Sequence, residues 1–159
     1  MNYEQLLNYV SEEFQVYEVP LIEQTGSYGF FINGKILIEE NQSEIEKKCI
    51  LAEEYGHGKK NSGNILDQQI TVNRKQELLA RKYAHELLIP LKNLVKAKIF
   101  GCSNLFELAD YLEVTEDFLS EALAQYKLQY GEEVIVDDYK ITFEPFIEIA
   151  LLKENSATV

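Results

Sequence analysis

The strongest constraint on how this chain folds is the pair Asn33-Gly34, set between the apolar runs Tyr28-Gly29-Phe30-Phe31-Ile32 and Lys35-Ile36-Leu37-Ile38-Glu39. A two-residue type I′ turn needs positive φ at both central positions, which Asn and Gly tolerate best, so the pattern predicts a β-hairpin. Directly after it, Asn41-Gln42-Ser43 leads into a helical pattern in which Ser43 and Glu46 have the spacing of a capping box. Ile45, Cys49, Ala52 and Gly56 form the expected buried stripe of that helix, and Gly58 suits the position just past its end. A hairpin followed by a capped helix points to an α+β fold.

The remaining segments fit around this unit. Tyr3, Leu6, Leu7, Val10 and Phe14 lie at helical spacing within residues 2–14, predicting an amphipathic first helix. Val16 to Glu23 is interrupted by Pro20, which suits an edge strand, and Thr25-Gly26-Ser27 is a turn. Residues 58–64 are a loop by composition. Asn73 is placed to cap a helix over Arg74 to Leu88 with Gln76 at its third position, and Pro90 marks a break before a helix over Leu91 to Phe100. Residues 104–123 resemble a helix-turn-helix, with Thr115 capping the second helix. Glu132 to Val136 and Tyr139 to Phe143 flank Asp137-Asp138 as a second hairpin, and a frayed tail is expected after about Leu152. The implied organisation is a core over 1–90, a helical extension and hairpin over 91–150 packed on it as one domain, and a tail over 151–159.

Charge excludes one class of partner. The formal net charge of -12 opposes broad contact with nucleic acid, and the second helix of the helix-turn-helix-like segment would point Glu116, Asp117 and Glu121 at phosphates. A packing or protein-contact role is expected for it, and a basic protein is the partner such a surface attracts. With no run of 18 apolar residues and no signal-peptide pattern at Met1 to Gln5, a soluble cytoplasmic protein without membrane contact is expected. Cys49 and Cys102 lie among apolar neighbours without ligand-like spacing, so both read as buried thiols. Nothing in the sequence sets an oligomeric state.

Chemistry concentrates in Leu51-Ala52-Glu53-Glu54-Tyr55-Gly56-His57. Glu53 and His57 are one helical turn apart, and relative to Glu53 they and Glu54 fall within about 100° of the helix circumference, so all three can border one cleft. In a helical metal-protease site, positions i and i+4 hold zinc and residue i+1 acts on the bound water. Here Glu53 stands where the first histidine is usual. Further along, Glu77 shares a helix face with the small residues Ala80 and Ala84. His85-Glu86-Leu87-Leu88-Ile89 has the first half of a metal-protease motif, with Ile89 in place of its second histidine. His85 and Asp67 are the substitute ligands the sequence offers.

The segments Cys49 to His57, Ser62 to Ile65, Asn73 to Ala84 and Leu87-Leu88-Ile89-Pro90 together resemble the ImmA/IrrE family of metallo-endopeptidases, especially its phage and prophage members. The resemblance implies a zincin-like fold, with a small antiparallel sheet packed on a metal-site helix. It implies zinc-dependent cleavage of a regulatory protein, typically a DNA-binding repressor of a prophage or mobile element. Glu53 and His57 fall on the two helical ligand positions, Glu54 on the general base and Glu77 on the third ligand. A Glu/His/Glu set leaves a fourth position for water, and its two carboxylates also suit Mn or Fe. Tyr55 or Tyr83 would stabilise an oxyanion, and substrate would lie extended along the sheet edge. The alternative is a non-catalytic antagonist that keeps the cleft, has lost the metal, and acts on a basic repressor by direct binding.

Overall fold

The computed structural model describes residues 1–60 and 74–152. Helix α1 (Tyr3–Ser11) starts on Asn2, whose side chain accepts from the Gln5 amide at 2.9 Å while Gln5 returns a bond to the Asn2 amide at 2.8 Å. It buries Tyr3, Leu6 and Val10. Strand β1 (Gln15–Val19) ends before Pro20, and helix α2 (Ile22–Thr25) occupies part of the stretch expected to stay extended.

Strands β2 (Gly29–Ile32) and β3 (Lys35–Glu39) form the expected hairpin, with positive φ at Asn33 and Gly34. The sheet order is β1-β3-β2, and β1 pairs with β3 in parallel. The sheet is therefore mixed, correcting the expected antiparallel one. The crossover through α2 lets β1 and β3 run the same way, and β2 and β1 are its two edges. Glu39 secures the crossover by accepting from the amides of Leu21 at 2.5 Å and Ile22 at 2.7 Å.

Helix α3 (Glu44–Lys60) packs on the inner face of this sheet, where Ile36 and Ile38 are fully buried. Its capping box is present, with Ser43 Oγ accepting from the Glu46 amide at 3.2 Å and Glu46 from the Ser43 amide at 2.8 Å. Two expectations for α3 are corrected. Ile45 is exposed, and the helix runs through Gly58 to Lys60. Gly58 is glycine for close packing: a Cβ there would stand 2.8 Å from the rings of Phe14 and Phe31.

Helices α4 (Arg74–Leu88), α5 (Leu91–Phe100), α6 (Leu105–Leu112) and α7 (Glu116–Tyr130) follow, the last capped by Thr115 Oγ1 accepting from the Phe118 amide at 3.1 Å. Strands β4 (Glu133–Val136) and β5 (Tyr139–Thr142) make the second hairpin. An unanticipated strand, β6 (Glu148–Leu151), pairs antiparallel with β5. Buried apolar side chains from Tyr3 to Ile149 form one connected core. Both cysteines are free thiols within it. No helix among the described residues is long and apolar enough to cross a membrane. The expected cap Asn73, the candidate ligand Asp67 and the tail beyond Leu152 lie outside the described residues.

Candidate functional site

Helix α3 presents its acids and histidine to three different neighbours. Glu54 lies against edge strand β2: a Cβ added at Gly29 would stand 2.9 Å from both Cγ and Oε1 of Glu54. Glu53 lines a cavity of about 150 Å³ between α3 and α7, together with Cys49, Asp117, Phe118 and Glu121. His57 turns to α4, where its Nε2 lies 3.1 Å from Oε2 of Glu77. The other oxygen of Glu77, Oε1, accepts from Arg81 Nε at 3.2 Å, one turn along α4.

The electrostatics follow from burial and crowding. Burial pushes the Glu53 carboxyl up to about 7, with Arg81 pulling it down and Glu121 and Glu77 pushing it up. Burial, then the charges of Glu53 and Glu77, raise Glu54 to about 8. Burial depresses the basicity of His57, against the attraction of Glu77. Burial thus favours the protonated forms of Glu53 and Glu54 and the neutral form of His57.

The expected metal is corrected by this geometry. Among the described residues, no group of three or more His, Cys, Asp or Glu side chains is arranged to hold a metal ion, so the expectation of zinc, or of Mn or Fe, is withdrawn. Three inward-facing donors and an open fourth position are what a catalytic zinc requires. Here Glu53 faces α7, and His57 and Glu77 bond to each other.

The remaining candidates are engaged elsewhere. The Tyr55 hydroxyl donates to Glu13 Oε1 at 2.8 Å, and its fully buried ring meets Tyr9, Phe14 and Tyr83 edge-on. Tyr83 also lies under the Lys60 ammonium, 5.5 Å from the ring centroid. His85 faces α7, with Nδ1 at 2.5 Å from Gln125 Oε1 and its ring edge-on to Phe118. Its Nε2 is buried without a hydrogen-bond partner among the described residues.

Two residues that sequence reasoning passed over shape the site. Arg81 had a legible signal, its i+4 spacing from Glu77. Lys48 had none: a lysine between two glutamate-rich turns looks solvated, yet it is buried and donates to the carbonyls of Leu112 and Glu113 at 2.9 Å each.

A central helix bearing Glu-Glu-x-x-His beneath a short sheet, with a second helix returning an acid to the histidine, defines a peptidase-type α+β scaffold. The model of the peptidase M78 family, described as the IrrE N-terminal-like domain, matches residues 12–124, and the chain belongs to this family. Searches of curated proteins and of solved structures returned no match.

Proposed function

We propose that this chain is a non-catalytic protein-binding member of the family, which antagonises a basic, repressor-type DNA-binding protein by direct contact. The observation that carries the reading is the His57–Glu77 pair at 3.1 Å, which joins two expected metal ligands to each other. In this reading the zincin-like layout persists as a binding scaffold. Glu53, Glu54, Tyr55 and Tyr83 shape and support the cleft without performing chemistry. Family membership supports a regulatory protein as partner, and the net charge of -12 supports a basic one.

The edge strand β2 is the docking element we favour. Tyr28, Phe30 and Ile32 at this edge are 49%, 40% and 46% exposed. Tyr17 on β1 and Phe30 both pair with Leu37, forming an apolar row across the sheet's outer face. An extended segment added to β2 would gain main-chain hydrogen bonds and contact this row.

The test is incubation with a basic repressor encoded beside it, followed by size-exclusion chromatography and intact-mass measurement. The expected result is a stable complex containing full-length repressor. Repressor fragments with defined termini would contradict the reading.

A further inference from the structure

On the facing sides of α3 and α4, Glu77 meets His57 with one oxygen and Arg81 with the other, while Glu53 and Glu54 leave α3 toward α7 and β2. A carboxylate in such a network is stabilised by positive charge nearby. A guanidinium is always charged and presents several donors in a fixed plane. Among the described residues, Arg81 is the guanidinium bonded to this pair, through its Nε at 3.2 Å from Oε1 of Glu77.

The bond has a structural consequence as well. Glu77 uses one oxygen for Arg81 and the other for His57, so Arg81 fixes the carboxylate that orients the imidazole. We infer that Arg81 is the resident counter-ion of this cleft, taking the electrostatic place that a bound cation holds in a metallopeptidase and making the folded state independent of metal. The inference stands apart from the partner-binding reading, because its readout needs no partner.

The test is thermal unfolding of the full chain in chelator and with zinc or manganese ion alone, for wild type, Arg81→Met, Arg81→Lys, Glu77→Gln and the Arg81→Met/Glu77→Gln double variant. Wild type should unfold at the same temperature with and without metal. Arg81→Met should lower Tm by about 2–4 °C, the shift that a loss of about 1 kcal/mol produces in a chain of this size. In the Glu77→Gln background the same substitution should cost less than half as much, since its partner charge is gone. Arg81→Lys, which keeps the charge and loses the planar fork, should fall between wild type and Arg81→Met. If Arg81→Met does not fold while Arg81→Lys does, the inference is likewise supported. An Arg81→Met Tm equal to wild type, an undiminished cost in the double variant, or a metal-dependent rise in the wild-type Tm would each overturn it.

Discussion

Gly56 on α3 lies so close to Ala80 on α4 that a Cβ built on the glycine would stand 3.0 Å from the Ala80 carbonyl carbon and 3.2 Å from its Cα, with the carbonyl oxygen nearer still. The obstacle is backbone, which cannot rotate aside as a side chain can. This contact sets the distance between the two helices and thereby brings His57 to Glu77. Gly56→Ala should therefore destabilise the chain by about 1–3 kcal/mol through overpacking, despite alanine's better helix propensity. Denaturant unfolding would register it as a lower midpoint with an unchanged slope.

Lys48 links the site helix to the end of α6. Its ammonium donates to the carbonyls of Leu112 and Glu113 at 2.9 Å each, satisfying acceptors left open at a helix C-terminus. Lys48→Met keeps the apolar stem and removes the donor, leaving the Leu112 and Glu113 carbonyls without it. The expected cost is about 1–3 kcal/mol. Amide exchange should show the loss as faster opening at the α6–α7 junction, ahead of the α3–α4 pair.

Stability should fall as pH rises through neutrality. The folded carboxyls of Glu53 and Glu54 titrate near 7 and 8, above the ordinary glutamate value of 4.5. Between those limits the folded state binds more protons than the unfolded one, so the slope of unfolding free energy against pH is negative. The favourable contribution is complete below 4.5 and is lost as pH climbs to about 8. At the acid end, Glu39, held below the ordinary range by the amides of Ile22 and Leu21, works in the opposite sense and loses its contribution as pH falls. Thermal melts should thus peak in mildly acidic buffer. The Glu53→Gln/Glu54→Gln double variant should flatten the decline and exceed wild type at pH 8.

The exposed row at the sheet edge should matter for binding and little for folding. Phe30 and Ile32 are 40% and 46% exposed. Phe30→Lys and Ile32→Lys should leave Tm nearly unchanged and weaken repressor binding by about tenfold or more, the loss expected when an interface anchor is removed. Titration calorimetry with the repressor would measure it.

What the sequence made legible was local. Asn33-Gly34, the Ser43–Glu46 box and Thr115 act within four residues, so their geometry follows from residue type alone. The misread features depend on distant neighbours. Gly58 resembles a helix stop until the rings of Phe14 and Phe31 are known to press on it. Strand β6 exists through pairing with β5, which Glu148-Ile149-Ala150-Leu151 does not announce. The site divides the same way. Spacing put Glu53, Glu54 and His57 on neighbouring faces of one helix. Which neighbour each would meet was set by where β2, α4 and α7 pack, and those contacts separate the donors.

The function proposed for this member of the family is action by binding. Its most direct test is relief of repression in a reporter strain carrying the neighbouring repressor, comparing wild type with Glu54→Gln at matched expression while following repressor length by immunoblot. Equal relief by both chains, with the repressor intact, is the expected result. Relief lost in Glu54→Gln, with repressor shortened only by wild type, would contradict it.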